Sequence, residues 1–227
     1  MPETLAPSPV ATACKWPEHV LCFGGEDWWY HNRSHCDIQF MRQYARSGHV
    51  LYVNSIVMRK PNVTEGAMFF KRLKRKLKSI RRGLVRVEPT STVYSPVTAP
   101  VHHLPGARQA NQFALRQQLR LAMRRLGLRA PLMWVNIPAA VDTALALPHR
   151  GLVYQRTDRY ENHPGVDVEQ IKRYDRMLKE RADLTFYSNR EFYEEEVNQC
   201  RRAAYIDHGV DFERFVDAVD HPNTPED

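Results

Sequence analysis

The sequence predicts an α/β domain with a Rossmann-like, three-layer arrangement of helices around a mostly parallel sheet of about seven strands. Short runs of apolar, β-branched or aromatic residues alternate with longer segments of helical periodicity, which is typical of repeated βα units. With 227 residues, of which 43% are hydrophobic, the chain can build one large core of this kind.

Each element of that fold has its own signal in the sequence. Seven segments have the length and composition of strands: residues 19–23, 50–54, 85–88, 131–136, 152–156, 184–188 and 203–207. Six segments between them have helical periodicity: residues 34–47, 66–82, 109–126, 139–145, 168–182 and 191–200. The third helical segment carries an apolar stripe suited to packing on a sheet, formed by Leu115, Leu119, Ala122 and Leu126.

We expect the folded domain to span residues 19–215. The Pro-containing residues 1–18 do not resemble a secretory signal and are expected to form a disordered leader, while residues 216–227 have the composition of a linker or tail. Apolar runs are far shorter than the roughly 20 residues that cross a bilayer. The four cysteines include no CxxC pair, which argues against a zinc site or a disulfide framework and favours the reducing cytoplasm.

The loop after the first predicted strand is a candidate ligand site, since open parallel sheets bind ligands at the carboxyl ends of their strands. Gly24 and Gly25 let the backbone approach a ligand closely, and Trp28, Trp29 and His31 offer rings that could bind a sugar. The alternative for the two tryptophans is a place in the core. GxGxxG is absent, which argues against a nicotinamide cofactor.

Two later loops carry further polar candidates. Asn136 follows the fourth predicted strand, where it could contact a ligand or serve as a turn residue. After the fifth, Arg156 is suited to phosphate, Asp158 to a hydroxyl proton and Tyr160 to an acceptor, but an Arg–Asp ion pair is the alternative. His208 ends the last predicted strand, and a single His is more often structural than catalytic. No metal-ligand spacing is visible.

A strongly basic helix is the most unusual feature of the composition. The formal net charge is +7, and residues 66–87 hold nine Lys or Arg and no acid. Phe70, Leu73, Leu77 and Ile80 form an apolar stripe there, which suits either packing on the sheet or docking on an anionic membrane. The proposed anion patch comprises Lys71, Arg72, Lys74, Arg75, Lys78, Arg81 and Arg82. Nucleic acid ranks last as a partner, because no nucleic-acid-binding motif accompanies the cations.

Five short motifs together resemble the N-terminal half of GT-B glycosyltransferases, especially the bacterial family 4 and family 1-like group. They are the Gly24-Gly25 loop, Asn136-x-Pro138, Val153-Tyr154-x-x-x-Asp158, Asp183-Leu184-x-x-Tyr187-Ser188-Asn189 and His208-Gly209-Val210-Asp211-x-x-x-Phe215. The last is the most specific, because it typically marks the exit from the first Rossmann domain of that family. Many members have a His where this chain has Asn136, which puts a His-dependent step in doubt.

The resemblance implies transfer of a sugar from a nucleotide sugar to an acceptor hydroxyl, without a metal or further cofactor. It places the acceptor by the loops of the first domain, with Asp158 and Asn136 as catalytic candidates and Trp28, Trp29, His31 and Tyr160 as acceptor contacts. It places Gly24, Gly25, Arg156 and His208 near the donor phosphate. Lipid-linked acceptors and the cytoplasmic face of the inner membrane are further expectations.

The donor-binding signature of that family, two Glu separated by seven other residues in a Gly-rich second domain, is missing from this sequence. We therefore expect this chain alone to be inactive, and to need a C-terminal donor domain if the natural chain continues past Asp227. The rival interpretation is a non-catalytic Rossmann-like module that binds a membrane or protein partner through its basic helix.

Overall fold

The structure, a computed structural model, describes residues 17–30, 35–54, 56, 67–98, 106–207, 209 and 216, with the backbone alone at residues 67–70, 72 and 73. The strands are β1 (His19–Phe23), β2 (His49–Val53), β3 (Leu84–Glu88), β4 (Ser91–Tyr94), β5 (Leu132–Val135), β6 (Gly151–Arg156), β7 (Leu184–Tyr187) and β8 (Ala203–Tyr205). The helices are α1 (Cys36–Ala45), α2 (Ala67–Arg82), α3 (Ala107–Arg125), α4 (Val141–Ala146), α5 (Val168–Arg181) and α6 (Arg190–Glu196).

These strands form one sheet with the order β3-β4-β2-β1-β5-β6-β7-β8. Every neighbouring pair is parallel except β3 with β4. From β1 the chain passes through α1 to β2 on one side, and from β5 through α4 to β6 on the other. The topological switch point therefore lies between β1 and β5, where open α/β sheets form their ligand crevice.

Helices cover both faces of the sheet, and the buried side chains form two apolar clusters. One contains Leu21 and Phe23 of β1 together with Leu119 of α3. The other contains Cys22 of β1 with Ile38 of α1. Successive β1 side chains alternate between the clusters, so the strand is buried on both sides, as a three-layer parallel sheet requires. The predicted fold class is confirmed.

The third predicted strand is where the structure departs from the sequence-based expectation. All seven predicted strands are present, but β3 runs antiparallel to β4 at the edge of the sheet. The parallel strand beside β2 is instead β4, which the sequence does not signal. With only four residues, two of them Ser and Thr, β4 is too short and too polar to stand out as a strand.

Candidate functional site

The loops after β1 and β5 lie side by side at the switch point, where open α/β sheets bind ligands, and we call this region the crevice. The backbone N–H of Asn136 donates to the carbonyl of Phe23 at the end of β1, with an N···O distance of 3.0 Å. Thr157, Asp158 and Tyr160 follow β6, the next strand, and so reach the same edge of the sheet. The strand order thus gathers the candidates predicted on three separate loops.

Gly24 and Gly25 are needed because of close contacts with neighbouring side chains, not because of a positive φ. A Cβ on Gly24 would lie 2.0 Å from the Tyr52 hydroxyl oxygen, a distance that no side chain tolerates. A Cβ on Gly25 would lie 3.1 Å from Asn136 Nδ2 and 3.5 Å from the Tyr160 hydroxyl oxygen. The second glycine therefore brings the β1 loop, Asn136 and Tyr160 together.

A buried carboxylate, Asp37, fixes this glycine loop. Its side chain lies in the first turn of α1 and is 1% exposed. Asp37 Oδ2 accepts from the Gly25 N–H at 2.9 Å and from the Tyr52 hydroxyl at 2.9 Å. Asp37 Oδ1 accepts from the Ile38 N–H at 2.9 Å. The Gly24 N–H donates to the Val53 carbonyl at 3.0 Å.

These hydrogen bonds bear on the expectation that Gly24 and Gly25 approach a donor phosphate. Both backbone N–H groups of the pair are donated within the protein, and the acceptor for Gly25 already carries a negative charge. A phosphate at these two donors would have to displace the Asp37 carboxylate and lie beside it. In this structure the glycine pair serves close packing, and its contact with a donor phosphate stays a prediction.

Asn136 and Tyr160 present polar groups to the crevice. Asn136 Oδ1 is buried and has no hydrogen-bond partner in the part of the chain that the structure describes. The Tyr160 hydroxyl lies 3.4 Å from Thr157 Oγ1. Burial raises the pKa of the Tyr160 phenol, and the nearby charges of Asp37 and Asp158 act in the same direction. The phenol is therefore neutral at physiological pH and can donate a hydrogen bond.

Asp158 is the exposed carboxylate of this cluster of loops. Its backbone carbonyl accepts from the Arg156 guanidinium, which holds the loop against β6. The side chain remains in contact with solvent and close enough to Tyr160 to affect the pKa of its phenol. The alternative, an ion pair of Asp158 with Arg156 or Arg159, is not seen: Arg156 contacts the main chain of Asp158 and pairs with other carboxylates, and Arg159 pairs with Glu195.

Cys36 lies at the start of α1 but does not supply a nucleophile. Burial raises the pKa of its thiol to about 11, and the neighbouring Asp37 charge adds to that effect. At neutral pH the group is therefore a protonated thiol.

Arg156 is placed differently from the expectation that it faces a donor phosphate. The side chain is 1% exposed. Its NH2 lies 3.2 Å from Glu161 Oε1 and 3.3 Å from Glu196 Oε1, and its Nε lies 3.4 Å from Asp175 Oδ1. A guanidinium already surrounded by three carboxylates has no donors left for a diphosphate. In this structure Arg156 has a structural role, and its contact with a donor phosphate stays a prediction.

Lys179 completes this buried ion-pair cluster. Its Nζ lies 2.7 Å from Asp175 Oδ2 and 2.7 Å from Glu196 Oε2. Burial alone would raise the pKa of the Glu196 carboxyl, but hydrogen bonds and charge from Arg156 and Lys179 outweigh it, and the pKa is lowered. The cluster therefore joins β6, α5 and α6 behind the crevice.

The two tryptophans of the β1 loop also serve the fold. Trp28 is 8% exposed and packs edge-on against Tyr52, with ring centroids 5.2 Å apart. Its backbone N–H donates to Asn54 Oδ1 at 2.9 Å. Trp29 is half-buried, with its Nε1 donating to Ser95 Oγ at 3.3 Å and Arg82 stacked 4.2 Å from its ring centroid. Trp28 is therefore a core residue, not an acceptor platform, and one face of Trp29 is already covered.

The basic helix α2 turns a polar residue inward and an apolar residue outward. Ser79 is fully buried, with its Oγ 2.9 Å from Ser95 Oγ, whereas the Leu77 side chain is 53% exposed. The stripe expected to include Leu77 and Ile80 is therefore split, since Ile80 is half-buried. Around Leu77 the exposed cations are Lys71, Lys74, Lys78 and Arg81. Arg75 and Arg82 stack on the aromatic rings of Tyr30 and Trp29.

Some candidates lie outside the described residues: His31, His208 and the side chains of Phe70, Arg72 and Leu73. Within the described ranges, no group of three or more His, Cys, Asp or Glu side chains could hold a metal ion. In the same part of the chain, no helix combines the length and the apolar character that crossing a membrane requires.

Sequence reasoning missed the residues that fix the site from behind. Asp37 carries one weak signal, because an acidic residue in the first turn is typical of a helix start. The Asn54–Ser79–Ser95 contacts join residues far apart in the chain, with Asn54 Nδ2 donating to Ser95 Oγ at 2.8 Å. No short sequence pattern predicts these contacts.

Comparison with known proteins shows similarity of fold. No family model matches the sequence, and no curated protein is significantly similar to it in sequence. A solved structure of sucrose-phosphate synthase from Thermosynechococcus elongatus has a TM-score of 0.50 at 10% identity, covering 90% of this chain and 96% of that chain. A structure of UDP-glucose:anthocyanidin 3-O-glucosyltransferase in complex with UDP has a TM-score of 0.46 at 8% identity, covering 84% of this chain and 52% of that chain.

At these identities the likeness concerns the fold alone. Sucrose-phosphate synthase is a GT-B glycosyltransferase, and this chain shares the Rossmann-like α/β fold of that structure. The fold that the five sequence motifs imply is therefore confirmed.

Proposed function

We propose that this chain is the acceptor-side domain of a glycosyltransferase that moves a sugar from a nucleotide sugar to an acceptor hydroxyl. The observation that carries the proposal is the crevice at the switch point, where Gly25, Asn136 and Tyr160 meet beside the exposed Asp158. The likeness of fold to a glycosyltransferase supports it.

In the proposed reaction, the acceptor oxygen bonds to the anomeric carbon while the bond from that carbon to the nucleoside diphosphate breaks. The hydroxyl proton passes to the Asp158 carboxylate, which is exposed and able to accept it. Tyr160, as a neutral phenol, and Asn136 orient the acceptor. No metal is assigned a part in this step.

If the natural chain continues past Asp227, we assign the donor to a second, C-terminal α/β domain. The hydrogen bonds of Gly24, Gly25 and Arg156 support this assignment, because these expected phosphate contacts are engaged within the protein. This chain by itself is then expected to be inactive, since half of the donor contacts would be missing.

The experiment is a transfer assay on the complete protein, with a panel of nucleotide sugars and release of nucleoside diphosphate as the readout. We expect Asp158→Asn to lower kcat by roughly 10²- to 10⁴-fold, the size of a general-base contribution. Glu180→Gln on the exposed side of α5 removes a carboxylate elsewhere and should leave kcat unchanged. Wild-type rates in Asp158→Asn would remove the role proposed for that residue.

We further propose that the outer face of α2 holds the protein on an anionic membrane, which would bring it to lipid-linked acceptors. The observation in favour is the exposed Leu77 amid exposed cations, a combination that suits the boundary between headgroups and acyl chains. The non-catalytic membrane module remains the second candidate function, and it rests on this same surface.

Vesicle binding tests the membrane proposal separately from catalysis. The protein should co-float with phosphatidylcholine vesicles only when phosphatidylserine is included. At about 1 kcal/mol per cation, the Lys74→Gln/Lys78→Gln/Arg81→Gln variant should bind on the order of a hundredfold more weakly at low salt. Lys172→Gln/Arg173→Gln/Arg176→Gln removes the same charge from α5 and serves as the control. Equal losses in both variants would indicate an effect of net charge alone.

A further inference from the structure

Two buried groups lie beside Gly25 at the switch point: the Asp37 carboxylate and the Asn136 side chain, whose Oδ1 has no partner among the described residues. Asp37 is buried at the start of α1, where the partial positive charge of the helix and the loop N–H groups would otherwise attract a phosphate. Its carboxylate takes the Gly25 N–H at 2.9 Å. The protein thus supplies its own anion at the place where an external one would bind.

The second observation is the unpaired carbonyl of Asn136. The residue is 5% exposed, its Oδ1 has no partner among the described residues, and its amide lies against Gly25. A buried carbonyl without a partner costs roughly 1–3 kcal/mol, which a bound hydroxyl or amine could recover by donating to it. An unprotonated phosphate oxygen, which only accepts hydrogen bonds, cannot.

The neighbouring side chains point to the same class of ligand. Tyr160 offers a neutral hydroxyl, Asp158 an exposed carboxylate and Thr157 a hydroxyl. In the loop after β6, Arg156 lies in the buried cluster, whereas Arg159 is partly exposed and pairs with Glu195. Among the described residues of these loops, the hydroxyls and carboxylates suit an uncharged polyol, and the carboxylates repel an anion.

We infer that this crevice selects an uncharged, hydroxyl-bearing acceptor such as an unmodified sugar ring, and that Asp37 excludes phosphorylated ones. The inference deepens the proposed function and rests on it for its catalytic meaning. Asp37 acts here as a specificity-determining residue, and Asn136 Oδ1 accepts a hydrogen bond from a hydroxyl of the ligand.

Binding to the complete protein tests this without requiring turnover. The probes are glucose, mannose, galactose and fructose, the 6-phosphate of each, and inorganic phosphate. Binding of each probe is measured by saturation-transfer difference NMR. We expect wild type to bind at least one of the neutral sugars more tightly than the matching phosphate ester. Equal or tighter binding of the phosphate esters, or binding of none of the neutral sugars, would overturn the inference.

Two variants locate the selectivity. Asp37→Asn should raise affinity for the phosphate esters by roughly tenfold, because a buried charge close to the ligand is removed while the side chain keeps its shape. Tyr52→Phe removes a hydrogen bond to Asp37 but keeps its charge, so it should leave the preference unchanged. Unchanged preference in a folded Asp37→Asn protein would contradict the role of that carboxylate.

A third variant keeps the test decisive if Asp37→Asn does not fold. Asn136→Ala should weaken binding of the neutral sugar by about five- to tenfold, one lost hydrogen bond, without any gain for the phosphate esters. A gain for the esters, or no loss for the sugar, would overturn the inference.

Catalytic outcomes separate the inference from the function on which it rests. If the complete protein transfers sugar but prefers phosphorylated acceptors, the inference fails and the proposed function stands. If no nucleotide sugar is turned over while neutral sugars still bind in preference to their phosphates, the proposed function fails and the selectivity of the crevice stands.

Discussion

The Arg156 cluster and the outer face of α2 are both rich in cations, yet they use them in opposite ways. In the cluster, Arg156 and Lys179 meet three carboxylates away from water, those of Glu161, Asp175 and Glu196. On α2, the cations around Leu77 face solvent, and no acidic residue occurs between residues 66 and 87.

The difference shows that burial decides what a cation does. Taking a guanidinium out of water carries a large desolvation cost, so a buried arginine is kept only with partners that satisfy its charge and its donors. An exposed lysine carries no such cost and remains available to an external anion. The same residue types are therefore part of the scaffold in one region and a surface for a partner in the other.

The largest expected effect comes from breaking the buried side of this comparison. Arg156→Met leaves three carboxylates with only Lys179 to balance them, and should lower the free energy of unfolding by about 3–5 kcal/mol. Urea denaturation measures it. Arg159→Met, three residues away in an exposed pair with Glu195, should cost less than about 1 kcal/mol. Similar losses in the two variants would contradict a special role for the buried pair.

A smaller effect, with a distinct pH dependence, is expected for Glu196→Gln. Replacing a charge-assisted hydrogen-bond acceptor should cost roughly 2 kcal/mol at neutral pH. Because Arg156 and Lys179 hold the pKa of Glu196 below its usual value in the folded state, this stability is present above the unfolded pKa of about 4.3 and is lost as pH falls through the lower folded value.

Urea unfolding between neutral pH and about pH 3 measures that dependence, around the ordinary glutamate pKa. The gap between wild type and Glu196→Gln should close toward the acidic end. A gap that stayed constant with pH would show that the variant acts through packing and not through charge.

The architecture was accessible from the sequence because it depends on local periodicity. The strand pattern, and the rule that strand ends meet at one edge, correctly bring the Gly24-Gly25 loop, Asn136 and Tyr160 together. The edge hairpin was not accessible, because β4 contributes only four residues and its pairing with β2 is a long-range event.

The roles of the charged and aromatic candidates were less accessible, because they depend on what packs around them. Arg156 lies at the end of a strand, where a phosphate ligand would be expected. Its guanidinium instead donates to Glu196, forty residues later in the chain. Trp28 is the type of aromatic residue that stacks on sugar rings, but contacts with Tyr52 and Asn54 hold it in the core. Spacing along the chain predicts which residues meet, and it does not predict which partner satisfies them.

Arg82 is neither buried with partners, like Arg156, nor free in solvent, like the cations around Leu77. We therefore expect its replacement to have an intermediate effect on the free energy of unfolding. The guanidinium is exposed but stacks 4.2 Å from the ring centroid of Trp29, which ties α2 to the β1 loop. Arg82→Gln should lower the free energy of unfolding by about 0.5–1 kcal/mol. Chemical denaturation followed by tryptophan fluorescence measures it. Arg82→Lys retains the charge but not the planar stacking, and should recover only part of the loss.

The smallest effect on stability is expected from the exposed cations themselves. Lys74→Gln/Lys78→Gln/Arg81→Gln should leave the free energy of unfolding within about 0.5 kcal/mol of wild type, and could raise it slightly, because like charges one turn apart repel. Thermal and urea unfolding of the same protein preparation measure this. A marked loss would mean that the outer face of α2 contributes to the fold, and the contrast with the Arg156 cluster would fail. Retained stability would instead leave these cations without a structural role, as a surface for an external partner requires.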